Sequence, residues 1–222
     1  MRNKPKEIEV GSSIVKIREP KDGSGSNPRV AFLLHGWTGD ESSMWVFGNK
    51  MDDDWLLVAP RAPYPSIDLD LGGYSWVNQS IKQWPTYQDF FPSVNNISNI
   101  VKKLAVRYPL TDFSKISLIG FSQGAAMAFV YAGAHKDVID KLVLLSGFLP
   151  EGHEGFLKPE DINNLNIFVG HGSKDEIVPV QKAKEIKERF EDYCKGFVYC
   201  VTDVGHRLGS ECFNSFQSFM ND

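Results

Sequence analysis

Five short runs of the chain are apolar throughout but for Ser117: Val30–Leu34, Leu56–Ala59, Ile116–Ile119, Leu142–Leu145 and Ile167–Val169. A strand with one wet face alternates, whereas a strand buried on both faces does not. The runs therefore predict a parallel sheet covered by helices on each side. Phe197–Val201 is a sixth candidate strand. Between the runs the apolar spacing changes to three and four. Val94, Ile97, Ile100, Val101 and Leu104 mark a helix over Val94–Tyr108 that stops before Pro109. Gln123–His135 reads as an Ala-rich helix and Val180–Tyr193 as a charged amphipathic one, while Cys212–Met220 sets Phe213, Phe216 and Met220 on one face. Ile8–Ile17 alternates around Gly11-Ser12-Ser13 and predicts an antiparallel edge hairpin, followed by a polar turn over Lys21–Pro28.

Strand and helix thus alternate, which implies right-handed crossovers within one open, mostly parallel α/β sheet. No repeat, low-complexity tract or linker divides the chain, so residues 1–222 are expected to form a single domain. The stretch from Tyr64 to Pro92 breaks the rhythm. It has little periodicity but carries Tyr64, Tyr74, Trp76, Trp84, Tyr87, Phe90 and Phe91. A long connection of this kind reads as a lid, an interface or an excursion whose aromatics fill a satellite core.

Composition narrows the function. A formal net charge of −4 and the absence of a basic cluster argue against a nucleic-acid binder. The three cysteines, Cys194, Cys200 and Cys212, have no framework spacing and no CxxC pair. That pattern predicts buried free thiols in a reducing compartment. No apolar run is long enough for a signal peptide or a membrane span, so a cytoplasmic protein is expected.

The strongest chemical signal is Gly120-Phe121-Ser122-Gln123-Gly124, a G-x-S-x-G between a buried strand and an Ala-rich helix. A serine nucleophile must project from a sharp strand-to-helix turn, where side chains two positions away would collide. Ser122 needs a base oriented by a carboxylate, and in the α/β-hydrolase fold the chain order is serine, acid, histidine. Asp175 follows the Ile167–Val169 run and His206 follows the last strand, so all three fall at carboxyl ends of parallel strands. Glu176 and Asp203 are rival acids; His35, His135, His153 and His171 are rival bases. The oxyanion needs two N–H donors. The backbone of Gln123 offers one, and the loop His35-Gly36-Trp37 offers the other, with Trp37 N–H as the candidate. A zinc site built from His35, His171 and His206 lacks HExxH-like spacing and would leave the elbow serine unexplained, so no metal is expected.

With these residues in place, the chain resembles the phospholipase/carboxylesterase family, which includes acyl-protein thioesterases and small carboxylesterases. The resemblance runs from about Val30 to the C-terminus. It rests on Leu34-His35-Gly36 with Asp40, Ala59-Pro60-Arg61-Ala62-Pro63, Gly72-Gly73-Tyr74-Ser75-Trp76, Gly120-Phe121-Ser122-Gln123-Gly124, Gly170-His171-Gly172 with Asp175 and Val178-Pro179, and Gly205-His206 with Glu211. It implies a three-layer α/β-hydrolase domain without a large cap, and cofactor-free hydrolysis of short- to medium-chain carboxylic esters. Thioesters and lysophospholipids are the alternative substrates, and a ligand receptor on a hydrolase fold is the non-enzymatic one. Trp76, Phe148 and Ile177 fall where relatives line the pocket. Trp37 departs from the small aliphatic residue common in thioesterase-like members, and its ring is expected to narrow the acyl pocket. A small-molecule ester is the expected partner, with a homodimer left open.

Overall fold

The computed structural model describes residues 3–21, 27–68, 70–78 and 84–222. Most of the expected polar turn and part of the aromatic stretch, 69 and 79–83, lie outside the described residues. The chain opens with the hairpin β1 (Lys6–Val10) and β2 (Ser13–Arg18), turned at Gly11 with φ +67°. There follow β3 (Arg29–Leu34), the short α1 (Trp45–Gly48) and β4 (Trp55–Pro60). A two-stranded ribbon, β5 (Tyr64–Pro65) with β6 (Tyr74–Ser75), stands apart from the main sheet. Then come α2 (Phe91–Arg107), β7 (Ile116–Phe121), α3 (Gln123–Ala134), β8 (Ile139–Leu145), β9 (Asn166–Gly172), α4 (Gln181–Phe190), β10 (Gly196–Thr202) and α5 (Ser210–Asn221).

The main sheet runs in the order β1-β2-β4-β3-β7-β8-β9-β10. From β4 to β10 every pairing is parallel, and β2 joins β4 antiparallel. The continuous apolar runs have the expected cause. Along β3, Val30, Phe32 and Leu34 enter one core with α2, α3 and α4, while Ala31 and Leu33 enter a second with α1 and α5. Each Leu, Ile or Phe buried in this way contributes about 1.5–3 kcal/mol. Helix α2 buries Val94, Ile97, Ile100 and Leu104, and α5 buries Cys212, Phe216 and Met220. Helix α3 is buried from Gln123 to Ala132, which explains its small side chains: it lies in the middle of a sheet face.

The cysteines depart from expectation. Cys200 on β10 and Cys212 in the first turn of α5 form a disulfide, with Cα atoms 5.5 Å apart, and only Cys194 is free. Strand, loop and helix return the chain on itself within twelve residues, a proximity that spacing in sequence does not display. The expectation of three free thiols is thereby corrected: two are joined, and Cys194 is half-buried. No helix among the described residues is long and apolar enough to cross a membrane.

Candidate active site

The site forms where the parallel strands end. β7 stops at Phe121 and α3 begins at Gln123, leaving Ser122 at φ 54° and ψ −118°. A non-glycine residue is rarely found there and stays only when its surroundings enforce it. Two features do so here. Ser122 N–H donates to Leu145 O at 2.8 Å. Gly120 and Gly124 let strand and helix close on each other: a Cβ at Gly120 would overlap the Gly124 carbonyl, and one at Gly124 the Leu34 carbonyl.

Asp175 and His206 meet at the ends of β9 and β10. His206 Nδ1 lies 2.7 Å from Asp175 Oδ2. The other carboxylate oxygen, Oδ1, accepts from Ile177 N–H at 3.0 Å and Val178 N–H at 2.9 Å. The carboxylate is fully buried and cannot rotate without losing these donors. Gly172 lets the two loops abut, since a Cβ there would overlap the Val204 and Gly205 carbonyls. His206 packs its ring 4.9 Å from that of Phe121, the residue before the serine. Among the described residues no hydrogen bond joins Ser122 to His206, and catalytic hydrogen bonds are often long before substrate is bound.

The rivals make other contacts, and one of them, His171, also stands beside the acid, its Nε2 3.4 Å from Asp175 Oδ2. Asp203 is exposed and paired with Lys174 at 2.8 Å. His171 directs Nε2 at Val178 O at 2.8 Å and is held below the usual histidine pKa range by burial. His35 accepts from Ala62 N–H through Nε2 at 3.1 Å, so its Nδ1 carries the proton toward Gly36 O at 2.7 Å. Burial keeps His35 neutral as well. His135 faces Ser98, and His153 faces Pro150 O. Among the described residues no group of three His, Cys, Asp or Glu side chains could hold a metal ion.

The His35–Asp40 loop lies against the elbow: a Cβ at Gly36 would stand 3.4 Å from Ser122 Cβ. Trp37 N–H and Gln123 N–H donate to no carbonyl among the described residues. The chain turns sharply after Trp37, with Thr38 at φ +64°. Thr38 N–H donates to Tyr74 O at 3.0 Å and Tyr74 N–H to Gly39 O at 2.9 Å.

The expected lining residues separate. Ile177 is exposed beside Asp175, and Phe148 is buried edge-on to Trp84. Trp76 is wholly buried, with no solvent reaching it. Its indole N–H donates to His35 O at 2.7 Å and its ring lies 5.0 Å from the His35 ring. A buried indole must find an acceptor, and here that acceptor ties Trp76 to the loop beside the serine. Sequence reasoning also missed the Gln123 side chain, whose Oε1 accepts from Trp76 N–H at 2.9 Å. A lone polar residue opening an otherwise apolar buried helix was the available signal.

A mostly parallel sheet with helices on both faces, a serine elbow and a buried acid–histidine pair at the strand ends together define an α/β-hydrolase without a large cap. Two solved carboxylesterases share the fold. That of Mesorhizobium loti superposes with a TM-score of 0.78 at 16% identity, over 97% of this chain and 98% of its own. That of Bacillus cereus gives 0.77 at 19%, over 94% and 93%. The chain belongs to the phospholipase/carboxylesterase family, whose model matches residues 17–222. Acyl-protein thioesterase 1 of Candida albicans is 29% identical over 198 residues, covering 81% of this chain and 84% of the relative. The chain is accordingly a hydrolase of the esterase and thioesterase kind.

Proposed function

We propose that the protein is a serine carboxylesterase acting on short- to medium-chain carboxylic esters through an acyl-enzyme, with Ser122, His206 and Asp175 as its triad. The observation that carries this reading is the His206 Nδ1–Asp175 Oδ2 contact at 2.7 Å, with the acid locked by two backbone donors. The Nδ1 proton faces the carboxylate, so Nε2 is the basic nitrogen. His206 takes the Ser122 hydroxyl proton as Oγ attacks the carbonyl carbon. Trp37 and Gln123 N–H groups receive the oxyanion, reinforced by the positive end of the buried helix α3. The alcohol leaves with the proton from His206. Water, deprotonated by His206, then attacks the acyl-enzyme and frees the acid.

Trp37 is 42% exposed and Ile177 67% exposed, giving apolar side chains next to the proposed oxyanion donor and next to the acid. The Trp37 ring favours short acyl chains. The thioesterase relative supports a second reading, in which the same attack opens a thioester. The test is hydrolysis of p-nitrophenyl esters from acetate to palmitate, alongside acyl thioesters of matched length, by wild type and Ser122→Ala. We expect activity that peaks at short chains and falls by about 10⁶-fold in the variant, as loss of a triad nucleophile does. Turnover surviving Ser122→Ala would overturn the serine mechanism, and thioesters cleaved in preference to matched esters would favour the second reading.

A further inference from the structure

The segment Arg61-Ala62 is left unused by this mechanism, yet it grips the oxyanion loop at both ends. Arg61 Nε and Nη2 donate to the two Glu41 carboxylate oxygens at 2.6 and 2.8 Å, just past the loop's C-terminal end. Ala62 N–H donates to His35 Nε2 at its beginning. The guanidinium also lies 4.8 Å over the Tyr74 ring, and the Tyr74 backbone pairs with Thr38 and Gly39 in the loop's middle. Arg61 is itself fixed, its N–H donating to Ile14 O on β2 at 2.9 Å. Glu41 is 4% exposed, and its own carbonyl accepts from the Trp45 indole N–H at 2.9 Å.

We propose that the Glu41–Arg61–Tyr74 cluster is a positioning device for the oxyanion hole, with Arg61 holding the 35–41 loop so that Trp37 N–H points at the reacting centre. The inference rests on the esterase reading and concerns how its second oxyanion donor is kept in place.

The physical reason is asymmetric. A bidentate guanidinium–carboxylate pair fixes direction as well as distance, and a lysine cannot reproduce that fork. If Arg61 is removed, a nearly buried carboxylate is left without its partner, a costly state. The cheapest relief is for the loop to carry Glu41 toward water, and Trp37 lies four residues back along that loop. The arrangement also accounts for the Ala59–Pro63 and Gly72–Trp76 motifs, which supply no group to the chemistry. A Cβ at Gly73 would overlap the Thr38 carbonyl, so ribbon and loop are in close contact there.

The experiment compares wild type with Arg61→Gln, Arg61→Lys and Tyr74→Leu on the best short ester. It adds affinity for an alkyl boronic acid, which forms a tetrahedral adduct on serine, and amide deuterium exchange over residues 33–44. A displaced donor costs less than a lost one, itself worth about 10²–10³ in kcat. Arg61→Gln should therefore lower kcat about ten- to a hundredfold, with KM changed less than about threefold. Boronate affinity should fall in step, exchange over 33–44 should quicken, and Arg61→Lys should recover only part of the loss. Unchanged kcat and exchange in Arg61→Gln would overturn the proposal. So would a fall in kcat with boronate affinity and exchange unchanged, since that would place the effect elsewhere. If Arg61→Gln does not fold, Tyr74→Leu carries the same comparison. If wild type hydrolyses no ester or thioester, the esterase reading fails, while the exchange data still report on the clamp by themselves.

Discussion

In the proposed mechanism Asp175 makes the chemistry directional. Its Oδ1 is occupied by Ile177 and Val178 N–H groups, while Oδ2 faces His206 Nδ1 at 2.7 Å, with His171 Nε2 farther off at 3.4 Å. Asp175→Asn keeps the oxygen for the two backbone donors and turns an NH2 toward His206 Nδ1. The imidazole must then move its proton to Nε2, where it can no longer accept one from Ser122. We expect kcat to fall about 10³–10⁴-fold with an unchanged circular dichroism spectrum. A fall under about tenfold would remove Asp175 from the proposed triad. Ser122, Asp175 and His206 were legible because each motif names a residue and the fold orders them. The partnership of Glu41 with Arg61 was not legible, since only the folded sheet brings the two together. The tie of Trp76 to the His35–Asp40 loop was hidden for a related reason: the acceptor of its indole N–H is a backbone carbonyl, which no residue type announces.

At the scale of elements, β10 and α5 depend on each other. β10 is the edge of the sheet, half-buried along its whole length, and α5 is pinned to it by Cys200–Cys212 across the 203–209 loop that carries His206. Closing a loop of this length stabilises by about 3 kcal/mol in the chain-entropy account. Cys212→Ser should therefore lower Tm by roughly 6–12 °C, taking 2–4 °C per kcal/mol for a chain of this size. Thiol titration of unfolded, unreduced wild type should find one thiol, and three after reduction; three in both would refute the bridge. The strands themselves were readable because burial on both faces removes alternation, and α2 because Pro109 marks its end. The ribbon of β5 and β6 was hidden, since two-residue strands carry no periodicity.

For the molecule as a whole, histidines whose pKa burial lowers help set the acid side of stability, His35 and His171 foremost and the half-buried His135 less so. His35 and His171 sit in the fold with pKa values lowered by burial, while in the unfolded chain each takes a proton below about pH 6.5. The unfolded state then binds more protons, so stability is full above that pH and declines as pH falls through it. Glu41, held below the usual carboxylate range by its hydrogen bonds to Arg61, adds its own loss only at lower pH. The unfolding free energy from urea titrations should drop between pH 7.5 and 5.5, by at most about 1.4 kcal/mol per pH unit for each histidine kept neutral. His171→Gln should flatten the slope; an equal slope in the variant would exclude His171 as a source.

With two cysteines joined, the oxidised protein carries a single free thiol, Cys194. It lies in the turn before β10, whose far end leads to His206. Seven residues of strand separate the two ends, about 20 Å at the usual rise per residue. Burial raises the Cys194 pKa, and its Sγ donates to Gly196 O at 3.3 Å, so alkylation would be slow yet confined to one position. A fluorophore or surface tether attached there would hang from the rim opposite the reacting serine. The hydrolase would then be oriented with its Ser122 end outward, provided no reductant opens the cystine and multiplies the attachment points.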